Sequence, residues 1–338
     1  MTDSSATTVR ALLARYGGMA HNAVLEAVPV HEPRRDLYDL VLQHLLPRGK
    51  GLRPAILAAT CRALGGDLER AIALAVPIEL LHSAFLVHDD IQDASVRRRG
   101  KLALHEAHGV PLALNAGDAL AALAARELGR VARPYNNVGI SATEEFQDVV
   151  QRTIEGQAME IGFRSHLADA SETDYIEIIT RKTSGYTTIL PMRFGALAAT
   201  GQMPPRGQFE RFGFYLGALF QLRNDIRDLW PNEPGDSPAG SDIAEGKLTL
   251  MTVHALRVAP KDQSDALLST LRAPDADDAR IQAAIEIIEH AGGHEYADDC
   301  AHALANAATA AFTASFERVQ PSPDRSFLGD LVHYILEN

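Results

Sequence analysis

The sequence predicts a nearly all-helical protein with no parallel sheet. Three observations carry that expectation. Alanine and leucine dominate a 338-residue chain that is 46% hydrophobic but only 6% aromatic. Strand-type alternation is scarce. The long segments repeat apolar residues at helical intervals, as Leu74, Ile78, Leu81 and Phe85 do. Length alone allows one large domain or two smaller ones. No stretch marks a boundary, so residues 1–338 are expected to form a single domain.

Glycine and proline punctuate the elements in order. Ala27–Arg34 (AVPVHEPR) is an early break, and Pro47–Pro54 (PRGKGLRP) is a loop before the next helix. Gly65-Gly66-Asp67 separates two helices. Ile78–Val87 (IELLHSAFLV) reads as a buried helix that leads into Asp89-Asp90-Ile91-Gln92-Asp93. Arg133–Ser141 (RPYNNVGIS) is a further connector. Phe214, Leu216, Leu219 and Phe220 form an apolar stretch that ends in Asn224-Asp225-Ile226-Arg227-Asp228. Pro231–Gly240 (PNEPGDSPAG) is the longest connector, suited either to a lid or to a plain surface link. Later breaks fall at Ala273–Asp278 and Gln320–Arg325.

Composition excludes several classes. A net charge of −12 argues against a nucleic-acid partner, which would need a basic face. Cys61 and Cys300 are too few and too far apart for a disulfide framework or a metal knuckle. The amino terminus has no basic region followed by an apolar core, so no secretory signal is expected. Ala71–Val87 is the most apolar stretch. Pro77, Glu79 and His82 interrupt it, and it reads as too short and too polar for a membrane span. A cytoplasmic protein without a transmembrane segment is the expectation.

The chemistry sits in the two acidic clusters. At 3.6 residues per turn, Asp89 and Asp93 lie one above the other on one helix face, with Asp90 beside them. Such carboxylates repel each other unless a cation sits between them. Oxygen-only ligation at short spacing suits a hard divalent ion, Mg2+ above all. Arg97, Arg98 and Arg99 just downstream suit an anion with several oxygens, such as a diphosphate. One such motif alone is most often a solvated helix end. A second cluster of the same kind changes that weight, and Asn224 and Asp228 are again four residues apart. Two clusters at the ends of apolar helices could face each other across a cavity, an arrangement that a metal–phosphate load stabilises.

Read together, these pieces resemble the trans-isoprenyl diphosphate synthases of the polyprenyl synthetase family, from about Gly49 to Leu250. Gly49-Lys50-Gly51-Leu52-Arg53-Pro54 looks like the family's G-K-x-L-R-P segment. Leu80–Gly100 looks like its first aspartate-rich motif with a trailing R-R-G. Asn115-Ala116-Gly117-Asp118 fits the next helix. Gly156-Gln157 and Lys182-Thr183-Ser184 are similar to the G-Q and K-T segments. Phe220-Gln221 opens the second motif, and Gly240–Leu250 (GSDIAEGKLTL) resembles the lysine-bearing segment after it.

The resemblance implies antiparallel helices around a deep central cavity, usually in a homodimer. It also implies an activity: an allylic diphosphate ionises and isopentenyl diphosphate attacks the cation. By the same resemblance, Asp89 and Asp93 ligate Mg2+ with Asp90 oriented nearby, and Asn224, Asp225 and Asp228 supply the second set of ligands. The family pattern implies three ions per site. Arg98, Lys182 and Lys247 hold the departing diphosphate. Lys50, Arg53, His82 and Arg99 match the set that binds isopentenyl diphosphate. Thr183 and Gln221 are polar neighbours of the carbocation, although a helix back-bond is an alternative for Thr183. Ala84 and Phe85, five and four residues before Asp89, are candidates for the tunnel floor that limits chain length. With Ala84 small, a C20 product (geranylgeranyl diphosphate) is expected first and C15 second.

Asn224 departs from the family, which usually has aspartate there. An amide oxygen can bind Mg2+ but carries no charge, so weaker binding of one ion is expected. The asparagine also opens an alternative as a class I terpene cyclase, whose second motif begins N-D. Asp228 and Asn232 fit the rest of that motif poorly. A non-catalytic subunit of a heteromeric synthase is a third alternative.

Overall fold

The computed structural model describes residues 3–164, 167–231, 239–273 and 276–338. Among them, helices account for nearly everything, as composition and periodicity lead one to expect. The described strands are a two-residue antiparallel pair, Arg97–Arg98 with Lys101–Leu102. Residues 232–238 of the long connector, Asn232 included, and residues 274–275 of a later break lie outside the described residues.

The chain packs as two compact units. The first comprises residues 1–147, 190–209 and 316–331. Its centre is the helix Leu68–Gln92, which contacts Asp3–Ala27, Leu52–Ala63, Val110–Ala132 and Leu190–Thr200. Asp67 starts the central helix by accepting from the Arg70 N–H at 3.0 Å. Ile78, Leu80, Leu81, Ala84 and Val87 are each at most 3% exposed. Burial of each large aliphatic among them stabilises the unit by roughly 1.5–3 kcal/mol. That gain exceeds the local cost of Pro77, which lies inside the helix.

Two sequence expectations are corrected here. The central helix runs for 25 residues, far beyond Ile78–Val87, and is long and apolar enough by composition to cross a membrane. Within the protein 67% of its most apolar window is buried, as for a core helix. The connector at Arg133–Ser141 is also shorter than expected. A 3-10 turn covers Arg133–Tyr135, Asn136 reverses the chain at φ 52°, and a helix resumes at Asn137. With ψ at −127°, Asn136 turns the chain in one residue, and asparagine accepts a positive φ more readily than most side chains do.

The second unit comprises residues 148–189, 210–315 and 332–338. The helix Glu210–Leu229 packs against the π-helical segment Thr180–Ile189 and the helix Gly293–Ser315. Phe212 and Phe312 meet at 5.3 Å between ring centroids. Thr188 bonds back to the Ser184 carbonyl and across to the Gly213 carbonyl, tying the π-helical segment to its neighbour. The break expected at Gln320–Arg325 falls between Ser315 and Pro323.

Candidate active site

In the first unit the acidic cluster ends the central helix. Asp93 still has helical backbone angles, and its N–H reaches the Asp89 carbonyl at 2.9 Å. Asp89 and Asp93 therefore stand one helical turn apart along the backbone. Asp90 is 1% exposed and is paired with Arg98, whose Nε donates to Oδ1 at 2.7 Å and whose Nη2 shares the same oxygen. Burial pushes the Asp90 carboxyl up, and the Arg98 guanidinium opposes the shift. Arg98 Nη2 is also 3.9 Å from Asp89 Oδ2. A guanidinium carries five donors, and this pairing uses its Nε and Nη2 edge.

The arginine run forms a hairpin that composition did not reveal. Arg99 and Gly100 occupy its two-residue turn with φ of 51° and 77°. Two left-handed residues in a row are the requirement of a type I′ turn, whose twist suits a hairpin. The turn directs Arg99 Nη1 to the Pro47 carbonyl at 2.6 Å. Arg99 Nη2 lies 2.8 Å from where a Cβ on Gly49 would be, so glycine at 49 makes room for the guanidinium. In this way the G-K-x-L-R-P loop and the R-R-G turn come together.

His82 lies within the field of Arg53 and Arg99. Burial, then these two guanidiniums, then His44 and Arg98, hold its imidazole neutral well below its ordinary range. Glu79 is the acid facing the same cluster; burial raises its carboxyl against the pull of Arg53 and Arg99. Lys50 is exposed on the adjoining loop. Four predicted anion-binding residues therefore come from three separate segments. Arg97 is exposed and only touches the Gly100 carbonyl at 3.4 Å. Ala84 is buried and Phe85 partly so.

In the second unit the K-T segment lies in a π-helix, Thr180–Ile189. Such widened turns recur at functional sites because they redirect side chains. The helix Asn137–Phe163 crosses it closely, with Gly156 at the contact. Lys182 Nζ pairs with Glu160. Thr183 makes no back-bond; its hydroxyl donates to Gln221 Oε1 at 3.1 Å. Gln221 Nε2 in turn donates to Asp225 Oδ1 at 2.7 Å, and the Tyr175 hydroxyl donates to Asp225 Oδ2 at 2.6 Å.

The remaining acids of the second motif are also engaged. Asp228 accepts from the Ser241 hydroxyl and from the Asp242 N–H at 3.0 Å, which anchors the lysine-bearing segment. Lys247 pairs with Glu245 and lies 3.4 Å from Asp242. Asn224 Oδ1 accepts from Arg227 Nη2 at 3.2 Å. Lys182, Thr183, Gln221, Asp225, Asp242 and Lys247 line a cavity of about 50 Å³.

The sequence did not single out Glu160, Tyr175 or Asp242. Glu160 follows Gly156 by one helical turn, and Asp242 precedes Lys247 in GSDIAEGK. Those two spacings were signals available in the chain. Tyr175 meets Asp225 across 50 residues, which no local pattern encodes.

The acids fit a hard divalent cation. Every candidate donor is an oxygen. Burial, then repulsion from Asp242, raises Asp225 well above the ordinary carboxylate range and Asp228 to about 6. Burial first, and the neighbouring carboxylate second, disfavour the charged forms, and a bound cation would offset both. Among the described residues no three His, Cys, Asp or Glu side chains form a ready-made metal cage.

An all-helical fold carrying two acidic clusters with basic partners defines an isoprenoid-synthase-type protein. The chain belongs to the polyprenyl synthetase family: the profile described as "Polyprenyl synthetase" matches residues 35–288. A short chain isoprenyl diphosphate synthase of Methanothermobacter thermautotrophicus is 33% identical over 331 residues, covering 96% of this chain and 97% of that one. A geranylgeranyl diphosphate synthase of Saccharolobus solfataricus is 35% identical over 248 residues, covering 71% and 72%. The crystal structure of a geranylgeranyl pyrophosphate synthetase from Pyrococcus horikoshii superposes with a TM-score of 0.84 at 29% identity, covering 97% of this chain and 98% of that one.

Proposed function

We propose that the protein is a chain-elongating trans-prenyltransferase. It joins isopentenyl diphosphate to an allylic diphosphate, releases inorganic diphosphate, and makes geranylgeranyl diphosphate (C20) as its main product, with C15 second. The observation that carries this is the cation set around His82. The fields of Arg53 and Arg99 converge there, and this set is made of residues other than the acidic ones. A second diphosphate substrate needs such a set, whereas a cyclase acting on one diphosphate does not.

Asp89, Asp93, Asp225 and Asp228 are the proposed metal ligands, with Asn224 as a weaker one. These residues would hold Mg2+, proposed as three ions per site, which would supply Lewis acidity to the departing diphosphate. The protein's own groups do the rest. Asp90 holds Arg98, and Arg98 presents guanidinium donors to the allylic diphosphate. Lys182 and Lys247 exchange their carboxylate partners for that diphosphate as charge develops on it. Lys50, Arg53, His82 and Arg99 grip isopentenyl diphosphate, and the neutral His82 donates a single hydrogen bond. The Thr183 and Gln221 oxygens offer partial negative charge to the allylic cation. Ala84 leaves the path for the growing chain open at its level, and Phe85 narrows it. The small side chain at 84 and the products named for the relatives both support C20.

The protein is further proposed to work as one domain over 1–338, as a homodimer in the cytoplasm, with Leu68–Gln92 as a core helix and no membrane span. The test is release of inorganic diphosphate by the purified chain. Release should require both substrates and a divalent ion. Release from the allylic substrate alone would overturn the assignment.

A further inference from the structure

We propose that Tyr175 is a positioning residue that fixes the carboxylate of Asp225 for metal binding, an inference that rests on the prenyltransferase assignment. Tyr175 is 3% exposed on the helix Glu172–Ile179. That helix is fixed at its start by a reciprocal cap, with Ser171 accepting from the Asp174 N–H and Asp174 accepting from the Ser171 N–H. Only two rotatable bonds link the capped backbone to the ring, and the ring is buried, so the phenol has little freedom to wander.

The geometry at Asp225 is specific. Its Oδ2 accepts from the Tyr175 hydroxyl at 2.6 Å, and its Oδ1 accepts from Gln221 Nε2 at 2.7 Å. Gln221 is itself oriented by the Thr183 hydroxyl at 3.1 Å. An ionised carboxylate has about four lone-pair sites. One fixed donor on each oxygen therefore sets the rotation of the group and leaves the other lone pair of each oxygen in a defined direction. Gln221 sits one turn away on the same helix, so it restrains Asp225 only locally. Tyr175 comes from a different helix and ties the carboxylate to the rest of the unit. Neighbours of this kind orient metal ligands, and their loss commonly costs affinity for the ion. Tyr175 touches a ligand rather than a reacting atom, so its loss should alter ion binding and leave the chemical step nearly intact.

The test is Tyr175→Phe in the full chain, which removes one hydroxyl and keeps the ring. Two measurements are made: the steady-state kinetics of elongation as a function of Mg2+, and the calorimetric affinity for Mg2+ in the presence of inorganic pyrophosphate. The expected result is a rise of about tenfold in the Mg2+ half-saturation and the same shift in the calorimetric constant. At saturating Mg2+ the turnover returns to within about threefold of wild type, and KM for isopentenyl diphosphate is unchanged. Lower turnover at every Mg2+ level with an unchanged Mg2+ midpoint would assign Tyr175 a merely structural role and overturn the proposal. An unchanged calorimetric constant would overturn it too. If wild type takes up Mg2+ with pyrophosphate but elongates nothing, the prenyltransferase assignment fails, and the calorimetric comparison still decides the role of Tyr175. If wild type takes up no Mg2+, both fail.

Discussion

Gly156→Ala should damage this protein although alanine is the better helix former. Gly156 lies inside the helix Asn137–Phe163. A Cβ there would stand 2.5 Å from the Lys182 backbone nitrogen and 2.9 Å from both Lys182 Cα and Arg181 Cβ. Comfortable heavy-atom contact begins near 3.5 Å, so the π-helical segment must withdraw by about 1 Å. The obstacle is mostly backbone and cannot rotate away. Overpacking of this kind costs about 1–3 kcal/mol, set against a helix-propensity gain of about 1 kcal/mol. The expected net loss is about 0–2 kcal/mol in urea unfolding. The larger effect is on turnover, because Lys182 rides on the displaced segment. A misplacement of about 1 Å in a reacting constellation can cost about a hundredfold. Gly129→Ala is the control: Gly129 lies in the helix Val110–Ala132 with nothing within 4 Å of its would-be Cβ. That variant should gain up to about 1 kcal/mol and keep its activity. If Gly156→Ala matched Gly129→Ala in stability and turnover, the close crossing at Lys182 would not be what positions it.

Three further outcomes are expected. Burial, then Arg99 and Arg98, depress the His44 imidazole from 6.5 to about 4. The unfolded chain therefore takes up this proton first as pH falls, and stability drops between about 6.5 and 4 by about 3 kcal/mol. Urea unfolding near neutrality and near pH ~4 should show His44→Gln losing less stability than wild type by about that amount; equal losses would refute it. Asn224→Asp should lower the Mg2+ concentration needed for half-maximal activity, because a charged oxygen replaces a neutral one at the site now held by Arg227. An unchanged Mg2+ profile would mean that position 224 is not a ligand. Ala84→Phe should shorten the product, read by chromatography of the dephosphorylated alcohols. A product distribution identical to wild type would place the floor elsewhere.

What the sequence made legible was local. Asp89 and Asp93 stand one turn apart, and so do Asn224 and Asp228; helical spacing alone puts each pair on one face. The punctuation at Gly65-Gly66-Asp67 likewise coincides with a real helix boundary, because Asp67 supplies the cap. Pro77 lies inside the central helix, where tertiary burial overrides the propensity cost of one proline. The hairpin at Arg97–Leu102 was hidden because its strands are two residues long and one of its two turn residues is arginine rather than glycine. Thr183, Gln221, Asp225 and Tyr175 form a polar chain drawn from three segments, and only the Gln221–Asp225 step is local in sequence. Lys182 and Lys247 were found by their motif, but their carboxylate partners Glu160, Glu245 and Asp242 were not.

The most direct test of the central claim is product analysis of the purified chain with Mg2+, isopentenyl diphosphate and each allylic diphosphate in turn. The account predicts a linear C20 diphosphate, with C15 as the lesser product. A cyclic hydrocarbon formed without isopentenyl diphosphate, or no elongation of any primer, would contradict it.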